Sequence, residues 1–206
     1  MKYINDTNNA EIKTYRQLQN DNLGASLPKD GTNIILAVWF VIHNTAKQAY
    51  NTDTHKLVEG APAKTGNEYN QTWLEVALDQ PTMDANLATA KSNKYEQIWT
   101  EADKRNIEAE ATLIGSSTSN HPTRNNDRII KKNSRIANKK IKGQTPNQGE
   151  EDFVDAYDEL MDWQDSTYDV AESDGVDAVE NMTTPSAVNA FDVVNDVTWQ
   201  SDFVLP

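Results

Sequence analysis

The chain has 206 residues, a net charge of −13 and no cysteine, which excludes disulfides, thiolate metal sites and a small disulfide-stapled secreted scaffold. Five Trp, seven Tyr and four Phe in periodic segments argue against full disorder, and a hydrophobic fraction of 37% is enough for a modest core, in one compact domain or two small ones. The polar stretch Met1 to Asn22 lacks the apolar region of a signal peptide, and the longest apolar run, Ile34 to Ile42, is about half of what crosses a bilayer, so synthesis in a cytosol without a membrane span is expected.

The first eighty residues read as a small β-rich module. Thr14 to Asn20 suits one short helix. Ile34 to Ile42 is β-branched and aromatic, is bounded by Asp30-Gly31 and His43-Asn44, and predicts a buried core strand. Gln48 to Asn51 and Lys56 to Glu59 are short extended candidates, with turns at Gly60-Ala-Pro and Thr65-Gly66-Asn67. The alternation from Glu68 to Leu78 predicts one half-exposed strand closing a meander.

Pro81 marks a boundary, and residues 83–206 read as helical, giving an α+β chain. Asp84 to Ile114 has neither Gly nor Pro and places Tyr95, Ile98, Trp99 and Ala102 at helical spacing, which predicts a long amphipathic helix. The Tyr95, Ile98 and Trp99 stripe is a candidate seam for homo-oligomerisation, with packing inside the chain as the competing explanation. After a loop from Gly115 to Pro122, a basic helix is expected near Asn126 to Lys142, with Ile129, Ile130, Ile136, Ala137 and Ile141 as its apolar stripe and Gly143 as its C-cap. The acidic region, 150–197, opens on Glu150-Glu151-Asp152 and carries Phe153, Tyr157, Leu160, Met161, Gln164 and Tyr168 at helical spacing. Asp174-Gly175 predicts an interruption, and Thr184-Pro185 starts a last helix running to about Val197.

Charge is polarised along the chain. Residues 150–206 hold sixteen Asp/Glu and no Lys/Arg, so the preceding 149 residues hold nineteen basic against sixteen acidic side chains. His121 to Gly143 has Arg124, Arg128, Lys131, Lys132, Arg135, Lys139, Lys140 and Lys142 against the single acid Asp127. Such a cluster can neutralise phosphates and release counterions. Docking against the acidic region weighs more, because those carboxylates would repel a nucleic acid and the patch has no interleaved aromatics for base stacking. The candidate interaction residues are Arg128, Lys132, Arg135 and Lys139 on the basic helix and Phe153, Tyr157, Leu160 and Tyr168 on the acidic one.

Chemistry is harder to find. The carboxylates from Asp152 to Asp169 suggest a divalent cage, but Val170 and Asn181 occupy the first and twelfth positions of the calcium loop around Gly175, and a solvated helix face explains them better. His43, His55 and His121 have no metal-ligand spacing, and the chain has neither a phosphate-cradling glycine loop nor a nucleophile elbow. The reading is a non-enzymatic protein with no catalytic, cofactor or metal residues and no cofactor.

The stretch Ala49-Tyr-Asn-Thr-Asp-Thr-His-Lys-Leu-Val58, followed by Gln71-Thr-Trp-Leu-Glu-Val76, resembles a pattern in small phage proteins tied to tail fibres, including tail-fibre assembly proteins, where a turn ending in Thr-x-Lys-Leu precedes a Trp-x-Val strand. Asn51 stands where an acidic residue is usual, and the valine lies one residue further from Trp73. The resemblance implies a virion protein of the tail or its fibre attachment, made in the host cytoplasm, whose partners are other phage tail or fibre proteins. It also allows a tail-fibre assembly chaperone that does not stay in the virion. It implies no catalytic residues.

Overall fold

The computed structural model describes residues 2–7, 11–21, 39–66, 68–115 and 122–206. The first five residues of the expected core strand, 34–38, and His121 lie outside them. The chain divides into two compact units, Met1–Gln80 and Pro81–Pro206, in an α+β arrangement with strands first and helices after.

In the first unit, β1 (Lys2–Asn5) pairs antiparallel with β2 (Ile12–Thr14) and with β3 (Trp39–His43), while β3 also pairs parallel with β6 (Glu68–Asn70), which runs antiparallel to β5 (Ala63–Thr65). Successive side chains of a strand point to opposite faces. Trp39 and Val41 therefore join Tyr3 and Leu18 on one face, and Ile42 joins Ile4 and Tyr69 on the other, with Phe40 packed beside them. Burial on both faces explains why this segment is apolar throughout instead of alternating. Leu18 comes from α1 (Tyr15–Asp21), whose start is fixed reciprocally: the Gln17 N–H donates to Thr14 Oγ1, and Gln17 Oε1 accepts from the Thr14 N–H.

A separate two-stranded ribbon pairs β4 (His55–Glu59) with β7 (Trp73–Ala77), from His55 opposite Ala77 to Glu59 opposite Trp73. The single strand expected over Glu68 to Leu78 is thus two strands in two different sheets. The chain leaves the larger sheet at Gln71, whose N–H still bonds His43 O, and Thr72 then turns its hydroxyl to Ala61 O. Gln48 to Asn51 is not a strand. Asn51 instead organises the turn into β4, its side chain accepting from the Asp53 N–H and its carbonyl from the His55 N–H.

The second unit is helical. α2 (Gln80–Leu113) carries Pro81 in its first turn, where a missing N–H costs nothing, so the helix begins ahead of the expected Asp84. Ala90, Lys94, Ile98, Ala102, Asn106, Ala109 and Leu113 form its buried line. Around the first half, Ile98, Ala102, Ala171, Val179, Val188 and Phe191 make one core. Around the second half, Leu113, Ile129, Ile136, Phe153, Leu160 and Phe203 make another.

α3 (Pro122–Ile141) ends where Gly143, at φ +69°, donates its N–H to Lys140 O while the Gln144 N–H reaches Lys139 O. This doubly bonded glycine end satisfies the last carbonyls of the helix. α4 (Gln148–Val170) starts at a capping box, with Asn147 accepting from the Glu150 N–H and Glu150 accepting from the Asn147 N–H.

Two expectations fail here for local reasons. Asp174-Gly175 does not interrupt the helix: α4 runs on through a π-helical stretch, Ala171–Val176, into α5 (Asp177–Glu180). A Cβ on Gly175 would lie 2.9 Å from Ile98 Cγ2, so the glycine is there to let the π turn approach α2. The last helix, α6 (Pro185–Ala190), is capped by the Thr184 hydroxyl and stops seven residues before Val197. Asp192 turns its carboxylate to the N–H groups of Val194 and Asn195, a local alternative to a continued helix, and the tail proceeds irregularly with Val193, Val197 and Phe203 buried.

Candidate protein-interaction site

The two oppositely charged helices lie side by side in the second unit, and their interiors explain their register. α3 turns Asn125, Ile129 and Ile136 inward, and α4 turns Phe153, Ala156, Leu160 and Thr167 inward. Lys132 places its ammonium 3.7 Å from the Phe153 ring centroid, a cation–π contact. Lys139 pairs with Glu150. That lysine, more than the Asn147 N–H behind it, holds the Glu150 carboxyl below its ordinary value. Among the described residues this is the one ion pair joining α3 to α4.

The remaining charges turn outward. On α3 and the turn that closes it, Arg124, Arg128, Lys131, Arg135 and Lys142 follow intervals of four, three, four and seven residues, which at 3.6 residues per turn places them in one stripe about 60° wide. All five are exposed. On α4, Glu151, Asp155, Asp158, Asp162, Asp165 and Asp169 follow four, three, four, three and four, a stripe about 80° wide, also exposed throughout. Internal compensation of the basic helix is therefore confined to its inner edge.

The expected apolar stripe of α3 divides. Ile129 and Ile136 are buried, whereas Ile130 is 52% and Ile141 81% exposed with exposed Ala137 between them. Ile129 and Ile136 reach the core shared with α2, α4 and Phe203, and Ile130, Ala137 and Ile141 form a second, exposed face.

The aromatic seam of α2 is filled from within the chain. Ile98 is wholly buried against Gly175 and its neighbours, and Tyr95 packs on the same core. Burial, and then the Glu180 carboxylate beside it, pushes the Tyr95 phenol up to about 12. Trp99 stays partly exposed and its ring centroid lies 6.3 Å from that of Tyr168, whose hydroxyl donates to Asp103 Oδ1. Of the two explanations of that spacing, packing inside the chain is seen for Tyr95 and Ile98, which join the core of the π stretch and α5. On α4, Phe153 and Leu160 are core, Tyr157 packs at its edge and Tyr168 is half-exposed. Of the basic candidates, Arg128 and Arg135 are exposed on the outer face, Lys132 covers Phe153 and Lys139 holds Glu150.

Two buried polar residues on α2 escaped the sequence reading. Lys94 donates from Nζ to Phe191 O at 2.7 Å, neutralising the carbonyl end of α6. Asn106, 6% exposed, lies at a pocket of about 510 Å³ also lined by Asp103, Glu110, Asn126, Asp127, Gln164 and Tyr168. Burial raises the Glu110 carboxyl there, and Gln164 works weakly against it. The only signal for either residue was its place in the line Ala90, Lys94, Ile98, Ala102, Asn106, which polar identity disguises.

His55 sits on β4 with Nδ1 2.8 Å from Thr54 Oγ1 and 3.7 Å from Glu75, while His43 is exposed at the end of β3. Among the described residues there is no group of three His, Asp or Glu side chains able to hold a metal ion, and no helix is long and apolar enough to cross a membrane. No known protein family matches the chain, and neither a curated protein nor a solved structure is detectably similar to it.

Proposed function

We propose that the protein is a non-enzymatic structural or docking component acting through protein–protein contacts. The observation that carries this reading is the pair of outward charged faces on α3 and α4: each has a buried apolar line beneath it, and among the described residues the only ion pair on either face is the loose Lys131–Asp127 contact within α3. Rigid faces of defined charge steer and register a partner. A depression of about 860 Å³ beside Lys94 and Phe191 is an open groove whose lining charges are Lys94, Glu96, Glu101 and Asp192.

The setting we propose is the tail of a phage or its fibre attachment. The support is the resemblance of Ala49–Val58 and Gln71–Val76. The ends of these two segments, His55–Val58 and Trp73–Val76, pair in the β4–β7 ribbon, with Lys56 opposite Val76 and Leu57 opposite Glu75. The ribbon presents Leu74 and Val76 on its surface, as a partner-binding hairpin would. Mass spectrometry of purified particles tests this directly. Peptides of the chain in stoichiometric amount are expected, and their absence alongside abundant protein in the infected cell would shift the reading to an assembly chaperone that leaves its client.

A nucleic-acid reading has one observation in its favour, the outward row of Arg124, Arg128, Lys131 and Arg135. It requires retention on duplex DNA that weakens steeply between low and physiological salt. Elution in the void of a DNA column at low salt would remove it.

A further inference from the structure

The two exposed stripes share a length and a spacing. Arg124, Arg128, Lys131 and Arg135 on α3 and Lys142 in the turn just after it occupy five of the six positions of a four-three-four-three-four series, with Asn138 in the fifth place; Glu151, Asp155, Asp158, Asp162, Asp165 and Asp169 on α4 occupy all six. Both series cover nineteen residues, eighteen steps that make about 27 Å at about 1.5 Å each. The series reads the same from either end, so every basic position of one helix meets a carboxylate of the other whether the helices run parallel or antiparallel.

These stripes do not meet within one chain. α3 and α4 touch through Ile129, Ile136, Phe153 and Leu160, and the stripes lie on their solvent sides. Among the described residues, the six acidic side chains of the stripe make no ion pair, and on the basic side only Lys131 makes one, a loose contact of 3.9 Å with Asp127 on its own helix. At a net charge of −13, two copies repel each other except where a basic surface of one meets the other. The exposed stripe of α3 is such a surface, while Ile130 and Ile141 lie on another exposed face, about 80–100° round the helix from its edge.

We propose that the outer face of α3 in one copy docks on the outer face of α4 in a second copy of this chain. The contact is heterologous, with two different patches meeting, so it either closes into a ring or continues as an open row of subunits. The proposal deepens the docking reading above but does not depend on the phage setting, which concerns only where such an assembly is used.

The test is a charge swap on the full chain. One variant carries Arg124→Glu, Arg128→Glu and Arg135→Glu; the other carries Asp158→Lys, Asp162→Lys and Asp165→Lys. Size-exclusion chromatography with light scattering at about 50 mM salt should show the unaltered chain above monomer mass, and raising salt to about 500 mM should return it to monomer as the Debye length falls. Each variant alone should be monomeric with an unaltered far-ultraviolet circular dichroism spectrum. An equimolar mixture should associate again, because the acidic α3 of one variant now faces the basic α4 of the other. A monomeric wild type at high concentration and low salt would overturn the proposal. So would a mixture of two folded variants that stays monomeric, or a wild type that shifts mass only when duplex DNA is added.

Discussion

α3 and α4 are neighbours with nearly the same charge spacing and opposite sign, yet they are anchored differently. α3 buries two isoleucines and one asparagine along twenty residues and ends at Gly143. α4 buries Phe153, Ala156, Leu160 and Thr167, receives Gln200 and the Trp163 to Ser201 bond from the tail, and continues through the π stretch into a second core. The difference teaches that charge pattern and structural weight are separable. The acidic helix is the beam of this unit, and the basic helix is a plank laid on it.

Substitutions should separate the two. Leu160→Ala, at a side chain 1% exposed, is expected to cost about 3–5 kcal/mol, while Ile136→Ala is expected to cost about 2 kcal/mol because α3, with fewer buried side chains than α4, can settle into the gap. Denaturant unfolding measures both, and equal losses would show that α3 is as deeply anchored as α4. Gly175→Ala follows. Its new methyl would press on Ile98, which is wholly buried and has no room to move, at a cost of about 1–3 kcal/mol in the same assay.

The outer faces should behave differently. Asp158→Asn and Arg128→Gln are each expected to change monomer stability by less than about 0.5 kcal/mol, measured at high salt where copies are apart. A larger loss would mean that the stripes are paired inside the chain after all.

The smallest effect is a pH dependence. Lys139 holds the Glu150 carboxyl below its ordinary 4.5. The stability from this depressed carboxylate is fully present above 4.5 and is lost as pH falls through the lower folded value. Thermal melts between pH 6 and pH 3 should therefore show a shallower acid loss in Lys139→Met than in the unaltered chain.

Much of the helical unit was legible because helical spacing is a local property. The buried lines through Ile98 and Ala102 and through Phe153 and Leu160 follow from intervals of three and four. So do Gly143 as a helix end and Thr184-Pro185 as a helix start. The first unit was less legible. Short strands carry few periods, and Glu68 to Leu78 alternates well enough to pass for one strand although its halves bond different partners.

What the sequence determined by itself is the polarity of this protein: a strand-forming beginning, then amphipathic helices with basic charge ahead of acidic charge. Tertiary structure decided which apolar residues spend themselves inside. It took Ile98 and Tyr95 for the contact with Gly175 and the π turn, and it left Ile130 and Ile141 outside. The reason is that a helix has several faces of similar composition, and only the placement of neighbours selects the one to be buried. The same selection turned the stripes of α3 and α4 away from each other and toward solvent.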